Sequence, residues 1–373
     1  MKARGVRRLA PLEPGDPSEV GGHRVRGRVG AGGMGTVYAV DSPGGRGYLA
    51  VKVAHPGLVR DHRVRERFAH EARLLARVDS HCVARFVSAD VEADPPWLIT
   101  EYAPGPTLRH QVERFGRLRG GMLLGLAAGV AEALRAVHAA GVVHRDLKPG
   151  NVVVSVAGPK LLDFGIAHAA EEPDPTKWRR LRRMRRAFRT LGLPSPEALA
   201  DARVARSLDR RGTPGWISPE QYRRQPTTHA SDVFLWGATV AFAAAGHDPF
   251  GTAPPREMAR RVTSEEPDLR YLPPGLEKLV VAAMSVEPAD RPGSGELLRA
   301  VLALEGPEGG VRTPPEAGEG GVRGLLERHW TRVAVRPPLP PREGGGLLGR
   351  LPSPRLPQGG AGVGGVPAQR RPK

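Results

Sequence analysis

The chain has 373 residues, enough for one large two-lobed domain or two ordinary domains. Its formal net charge of +17 would suit a nucleic acid or an anionic surface. Most of the basic runs lack stacking aromatics, however, which argues against nucleic-acid binding as the main function. The single cysteine, Cys82, excludes an internal disulfide and a cysteine-based zinc site.

Residues 1–22 are rich in Pro, Gly and charge, and we expect them to form a flexible lead-in. Residues 1–17 contain no apolar segment of the kind that a signal peptide requires. The longest apolar run, Val233–Gly246, is shorter than the roughly 18 residues of a membrane span, so it predicts a buried core helix. These patterns predict a cytoplasmic chain without a transmembrane segment.

A strand-rich pattern runs from His23 to about Tyr102 and surrounds a glycine cluster. The cluster, Gly30–Val37, fits the pattern G-x-G-x-x-G-x-V, in which glycines let the backbone approach phosphates and present its N–H groups to them. A dinucleotide site would need a helix that begins at the last glycine. Because Thr36–Tyr38 continue as a strand, the cluster favours a strand–turn–strand lid over a nucleotide.

Lys52 lies in the middle of a predicted strand, Leu49–Val53, and its apolar neighbours point to the opposite face. A half-buried ammonium group needs an anion. Nucleotide phosphates can supply one, and a carboxylate on the following predicted helix, Arg63–Val78, can supply another. Glu71 is flanked by inward-facing apolar positions, so we favour it over Glu66; the alternative for either is a surface ion pair of little energetic value.

Helical patterns dominate from about Ala103 to Leu304 and begin with a long amphipathic helix predicted over Met122–Ala140. Short strands are predicted at Val152–Val154 and Lys160–Leu162. A small β lobe followed by a larger helical lobe is an α+β architecture.

Beyond Leu304 the chain consists largely of Gly, Pro and Arg, which predicts a disordered tail over residues 305–373. Within this tail, Gly324–Trp330 has transient helical character. The proline run Pro337–Pro341 fits a polyproline II spacer or a ligand for an aromatic groove.

The run His144–Asn151 contains groups that phosphoryl transfer needs for positioning and charge stabilisation. Asp146 can accept the proton of an attacking hydroxyl, and Lys148 can neutralise the moving γ-phosphoryl group. Asn151 can ligate magnesium through its amide oxygen, and Asp163, in an Asp-Phe-Gly run, can bind the magnesium that bridges the phosphates. Each of these residues alone would also fit a loop cap or a surface charge.

Taken in order, the glycine cluster, Lys52, Glu71 and the two polar runs resemble the eukaryotic-like (Hanks-type) serine/threonine protein kinases, in particular their bacterial branch. The resemblance covers residues 23–304. It implies a two-lobed protein kinase fold with a small antiparallel β N-lobe containing one helix (23–102) and a larger, mainly α C-lobe (103–304). It also implies ATP, Mg²⁺ or Mn²⁺, and protein serine and threonine hydroxyls as acceptors, including the chain's own.

The resemblance assigns further roles to single residues. Thr100 stands at the gatekeeper position, and the backbone groups of Glu101 and Ala103 would pair with adenine. The catalytic residues that it implies are Asp146, Lys148, Lys52 and Glu71, and the metal ligands are Asn151 and Asp163. The positions expected to contact ATP are Val29, Gly30, Ala31, Gly32, Gly33, Met34, Gly35, Thr36, Val37, Ala50, Lys52, Thr100, Glu101, Ala103 and Val153. The resemblance places Thr213 and Glu220 in the substrate loop and pairs Arg291 with Glu220. It assigns Asp232 to a buried helix from which it braces the catalytic loop.

The segment before Ser218 departs from the family pattern, because an insertion over residues 171–211 makes the activation loop unusually long. Its basic block, residues 177–189, has apolar residues at near-helical spacing. Three interpretations stay open: a solvated insertion without a role, a docking surface for an acidic partner or anionic lipid, and an autoinhibitory element. A phosphate in this loop would pair with Arg145. The candidate phosphorylation sites are Thr176, Thr190, Ser195 and Ser207.

The leading hypothesis is an active protein kinase, because every residue with a chemical role in the pattern is present. The alternatives are a pseudokinase that binds nucleotide without transferring phosphate and a phosphotransferase for small molecules. The segment Gly212–Glu220 argues against the last alternative, since by resemblance it builds a platform for an extended peptide.

Overall fold

The computed structural model describes residues 9–32, 35–45, 47–55, 62–162, 215–305 and 319–330. The first part of the chain forms an antiparallel sheet in the order β1-β2-β3-β4-β6-β5, against which helix α1 (His62–Leu75) packs. The strands are β1 (Glu19–Val20), β2 (His23–Gly32), β3 (Gly35–Asp41), β4 (Tyr48–Ala54), β5 (Phe86–Asp90) and β6 (Trp97–Glu101). The predicted β lobe with one helix is confirmed.

Successive side chains of β4 point to opposite faces of this sheet. Val51 and Val53 are buried with residues of β3 and β6 in an apolar cluster on one face. Because successive side chains of a strand point to opposite faces, Lys52 lies on the other face, where α1 packs. The strand therefore buries its valines and directs its one cation toward the helix.

The second part of the chain is mainly helical, which confirms the predicted two-lobed architecture. A hairpin of β7 (Val152–Ser155) and β8 (Gly158–Leu161) follows the polar run. The helices are α2 (Leu108–Phe115), α3 (Gly120–Ala139), α4 (Pro219–Tyr222), α5 (His229–Ala245), α6 (Pro255–Ser264), α7 (Pro274–Ala283), α8 (Ser294–Ala303) and α9 (Glu319–His329).

Helix α3 is buried along most of its length rather than amphipathic, because α5, α8, α9 and β8 all pack against it. By length and composition alone, α3 is also the one helix among the described residues that is apolar enough to cross a membrane. Within the protein, 72% of that apolar window is buried, and core helices commonly pass the same test.

Residues 9–22 are ordered, so the expectation of a flexible lead-in is wrong for them. Strand β1 pairs with the start of β2, and Ala10 exchanges two backbone hydrogen bonds with Arg28, at 3.0 and 2.9 Å. The Asp16 carboxylate accepts further hydrogen bonds from Arg28 and Tyr38. The composition of residues 9–22 did not predict this order, because the segment is held by strand-edge pairing and one buried carboxylate, which composition does not reveal.

Helix α9 contradicts the expectation of disorder for residues 319–330 of the tail. Trp330, which follows the helix, is buried, and its indole N–H donates to the Ser155 carbonyl oxygen at 2.7 Å. A Cβ atom on Gly125 of α3 would lie only 3.1 Å from the Trp330 ring, so this glycine makes room for the indole. Average composition hid the helix because Gly- and Pro-rich sequence flanks it. The apolar side chains that it adds to the core are Val322, Leu325 and Leu326.

Replacing Trp330 with alanine is expected to lower the free energy of unfolding by about 3–5 kcal/mol, because the substitution removes a buried aromatic ring and leaves a cavity. Urea denaturation measures the change. Phe115→Ala is the matched control, since that ring is 47% exposed and its loss should have a small effect. Equal stability of the Trp330 variant and the wild type would show that α9 does not belong to the cooperative core.

Candidate active site

A cavity of about 360 Å³ lies between the six-stranded sheet and the β7–β8 hairpin. Four positions predicted to contact ATP, namely Ala31, Gly32, Gly35 and Thr36, lie on the β2–β3 hairpin outside the cavity wall. Gly33 and Met34 lie outside the described residues. The predicted positions that do line the cavity are Val29, Gly30, Val37, Ala50, Lys52, Thr100, Glu101, Ala103 and Val153.

The described part of the glycine cluster lies at the paired ends of β2 and β3, where Gly32 is opposite Gly35. We call these paired strand ends the glycine hairpin. A Cβ atom on Gly35 would overlap the carbonyl oxygen of Val53 on β4, so a side chain is excluded there. A Cβ atom on Gly30 or Gly32 would meet no other atom within 4 Å. Packing therefore does not require glycine at these two positions. Because glycine has no side chain, the backbone there is open to a ligand such as a phosphate.

Lys52 and Glu71 form an ion pair between β4 and α1. The Lys52 Nζ atom lies 3.1 and 3.2 Å from the two Glu71 carboxylate oxygens, and Glu71 is only 4% exposed. Both residues line the cavity. Because their side chains are only 18% and 6% exposed, solvent screens the charge pair little, and Glu71 holds the Lys52 ammonium group at the cavity wall. Glu66, the less favoured candidate, is exposed on the same helix.

Asp146, Lys148 and Asn151 form one cluster. The Lys148 Nζ atom lies 2.9 and 2.8 Å from the two carboxylate oxygens of Asp146. The Asn151 Nδ2 group donates to the backbone oxygen and to Oδ2 of Asp146, both at 2.8 Å. With its NH₂ group engaged in this way, Asn151 retains its Oδ1 atom as the oxygen that suits a hard cation.

The cluster adjoins the cavity through the backbone. The N–H group of Leu162 donates to the carbonyl oxygen of Asn151 at 2.8 Å, and Leu162 itself lines the cavity. Its next neighbour, Asp163, lies outside the described residues. The sequence therefore places the predicted second metal ligand one residue beyond a described position of the cavity wall.

Asp232 braces the start of the polar run from α5. Its fully buried carboxylate accepts hydrogen bonds from the backbone N–H groups of His144, at 2.7 Å, and of Arg145, at 2.8 Å. Arg145 has a φ of 68°, in the left-handed region that costs a side-chain-bearing residue energy. The bonds to Asp232 stabilise this conformation and direct the following Asp146.

Sequence reasoning missed His138 of α3, which completes this brace. Its ring nitrogens lie 2.9 Å from the Asp232 carboxylate and 2.9 Å from the Ser294 hydroxyl. A single histidine within an apolar helix carries no distinguishing sequence signal. Only the packing of α3 against α5 and α8 shows its role.

Glu220 and Arg291 form a buried bidentate pair, with nitrogen–oxygen distances of 2.9 and 2.8 Å. Their side chains are 2% and 0% exposed. Burial alone would raise the pKa of Glu220, but hydrogen bonds from Arg291 and Ser231 outweigh burial and hold that pKa below its ordinary value. The pair joins α4 to the segment before α8. Thr213 and the basic block 177–189 lie outside the described residues.

Lys160 of β8 is another residue near the cavity whose role the sequence did not predict. Its Nζ atom lies 3.0 Å from a carboxylate oxygen of Glu101, and the Glu101 backbone N–H donates to the Arg85 carbonyl oxygen at 2.8 Å. These contacts fix the segment between the two lobes, where Glu101 and Ala103 line the cavity.

Known proteins resemble this chain over most of its length. The protein kinase domain family matches residues 23–302. The probable serine/threonine-protein kinase PkwA of Thermomonospora curvata is 39% identical, over 78% of this chain and 35% of that protein. The serine/threonine-protein kinase AfsK of Streptomyces coelicolor is 38% identical, over 76% of this chain and 32% of that protein. The matched part of the chain thus spans about a third of the length of these relatives.

Solved structures agree on the fold. The kinase domain of Mycobacterium tuberculosis PknI superposes with a TM-score of 0.53 at 23% sequence identity. The match covers 78% of this chain and 98% of that domain.

Proposed function

This chain belongs to the protein kinase domain family, and we propose that it is an active kinase that transfers the γ-phosphoryl group of ATP to serine and threonine hydroxyls of proteins, its own included. One observation carries the proposal. The Lys52–Glu71 pair is formed at the wall of the same cavity whose other side adjoins the Asp146–Lys148–Asn151 cluster. Phosphoryl transfer needs positioning and charge stabilisation, and these groups supply both.

The cavity and its donor set fit ATP with a divalent cation. The glycine hairpin offers open backbone for phosphates, Lys52 offers a fixed cation, and Asn151 retains an amide oxygen. We propose that Asn151 and Asp163 hold Mg²⁺, or Mn²⁺ in its place, because carboxylate and amide oxygens suit these hard cations. When bound, the cation neutralises phosphate charge.

Asp146 and Lys148 perform the transfer step in this proposal. The Asp146 carboxylate orients the acceptor hydroxyl and accepts its proton as the oxygen bonds to the γ-phosphorus. The bond from that phosphorus to the β–γ bridging oxygen breaks, and ADP leaves. Lys148 stabilises the negative charge on the moving phosphoryl group. The Lys148 position also supports serine and threonine as acceptors, because the H-R-D-L-K-P-x-N pattern resembles the serine/threonine kinases, and the similar proteins PkwA and AfsK carry that description.

Incubating the protein with γ-labelled ATP, Mg²⁺ and a generic protein substrate tests this function. We expect label on phosphoserine and phosphothreonine and none on phosphotyrosine, and a metal chelator should abolish it. Binding of ATP without any labelling would indicate a pseudokinase. Labelling of a metabolite but of no protein would indicate a small-molecule phosphotransferase.

We also propose the compartment in which this activity takes place. A kinase that uses ATP works where ATP is supplied, which supports action in the cytoplasm. The role of the basic block 177–189, whether inert, docking or autoinhibitory, stays a prediction from sequence.

A further inference from the structure

The cavity has a wall segment that the sequence motifs do not account for. Leu9 and Ala10 line it together with Arg28 and Val29. Leu9 is 5% exposed, although it lies ahead of the family match that begins at residue 23. We call residues 9–16 the strap.

Backbone pairing with β2 brings Leu9 to the cavity. Ala10 and Arg28 exchange both of their backbone hydrogen bonds, so they form a hydrogen-bonded antiparallel pair. Leu9 precedes Ala10 and Val29 follows Arg28, so this antiparallel bridge brings Leu9 next to Val29. Both Leu9 and Val29 line the cavity. Leu9 therefore extends the apolar wall that Val29 begins.

Asp16 anchors the other end of the strap. Its carboxylate, 6% exposed, accepts hydrogen bonds from Arg28 Nε at 2.7 Å, Arg28 Nη2 at 2.9 Å and the Tyr38 hydroxyl at 2.7 Å. The backbone N–H of Glu13 donates to it at 2.7 Å, and the Glu13 carboxylate pairs with Arg28 in turn. Strands β2 and β3 thus hold the strap at several points.

The chemistry of Leu9 indicates which part of a nucleotide it would meet. An apolar side chain cannot stabilise phosphates, but it can cover the face of a base. Lys52 marks the phosphate end of the cavity, whereas Glu101 and Ala103 lie in the connection between the lobes. The apolar wall formed by Val29 and Leu9 accordingly suits the base of a nucleotide rather than its phosphates.

We propose that Leu9 is a nucleotide-positioning residue, held in place by the Asp16 anchor, which covers the adenine end of bound ATP. This inference rests on the proposed function, because it takes the cavity to be the ATP site. The strap contributes to affinity for the nucleotide and leaves the transfer step itself unchanged.

Titration of the full chain with Mg²⁺ and ADP tests the proposal. Leu9→Ala should raise the Kd for ADP about three- to tenfold, since part of an apolar contact is lost. The KM for ATP should rise in parallel at unchanged kcat, and Leu9→Met should restore both values. Leu12→Ala is the matched control, because Leu12 lies in the same strap but is 39% exposed.

The unchanged kcat separates this role from a loss of folding, and a second variant tests the anchor. Asp16→Ala releases the anchor and should raise the Kd for ADP as Leu9→Ala does, while Lys52 and the catalytic cluster stay intact. A wild-type Kd in the Leu9→Ala protein, or a fall in kcat at constant KM, would overturn the proposal. A wild-type protein that binds ADP but transfers no phosphate would overturn the proposed kinase function, and the comparison of Kd values would still decide the role of Leu9.

Discussion

Replacing Asp146 with asparagine is expected to lower the rate of phosphoryl transfer by about two to four orders of magnitude. The amide keeps the size of the side chain but cannot accept the hydroxyl proton. It also weakens the contact with Lys148, whose Nζ atom lies 2.8 Å from the carboxylate. Nucleotide affinity should change little, because Asp146 does not line the cavity. Labelled-ATP transfer and ADP titration measure the two effects.

Asp79→Asn is the matched control for this experiment. Asp79 is exposed and lies between α1 and β5, away from the cluster, so its replacement should leave the transfer rate unchanged. If the Asp146 variant transferred phosphate as fast as the wild type, Asp146 could not be the base, and the catalytic assignment would be wrong.

Replacing Arg291 with leucine is expected to cost about 3–5 kcal/mol of unfolding free energy, because it leaves the Glu220 carboxylate buried without its ionic partner. Arg291 also donates to the carbonyl oxygens of Ser285, Ala230 and Val286, which lose a donor as well. Urea denaturation measures the difference. Arg270→Leu is the control, since Arg270 forms a similar pair with Asp268 but is 77% exposed.

The pH dependence of this contribution follows from the lowered pKa of Glu220. A carboxyl group with a depressed pKa in the folded state binds fewer protons there than in the unfolded state. Its stabilisation is therefore fully present above the unfolded pKa of about 4.3 and is lost as the pH falls through the lowered folded value. The stability difference between wild type and Arg291→Leu should narrow in acid. A difference that stayed constant to low pH would contradict the role of Glu220.

The sequence predicted the parts of the fold that depend on local pattern. The position of Lys52 within an apolar strand required a buried partner, and Glu71 on the inner face of the next helix provides it. The glycine cluster was followed by strand residues, and the structure forms a hairpin there. In each case, the residue type and the strand or helix period point to the same arrangement.

The sequence could not predict contacts that depend on long-range packing. Leu9 reaches the cavity through backbone pairing with β2, which any residue type could make. Trp330 is buried because Gly125 opens a space on α3, and neither residue indicates the other in the sequence. His138 joins Asp232 only after α3 and α5 have packed. Average composition did not predict the burial of Leu9 or Trp330, because sequence rich in Pro and Gly surrounds the short, well-anchored segments that contain them.

In the proposed mechanism, Lys52, Asp146, Asn151 and Asp163 converge around one metal–triphosphate group. A crystal structure of the protein with Mg²⁺ and a non-hydrolysable ATP analogue tests it most directly. We predict that the triphosphate lies against Lys52 beneath the glycine hairpin and that Asn151 Oδ1 and the Asp163 carboxylate contact the metal. A nucleotide bound elsewhere, or a metal that touches neither Asn151 nor Asp163, would show that the proposed site is wrong.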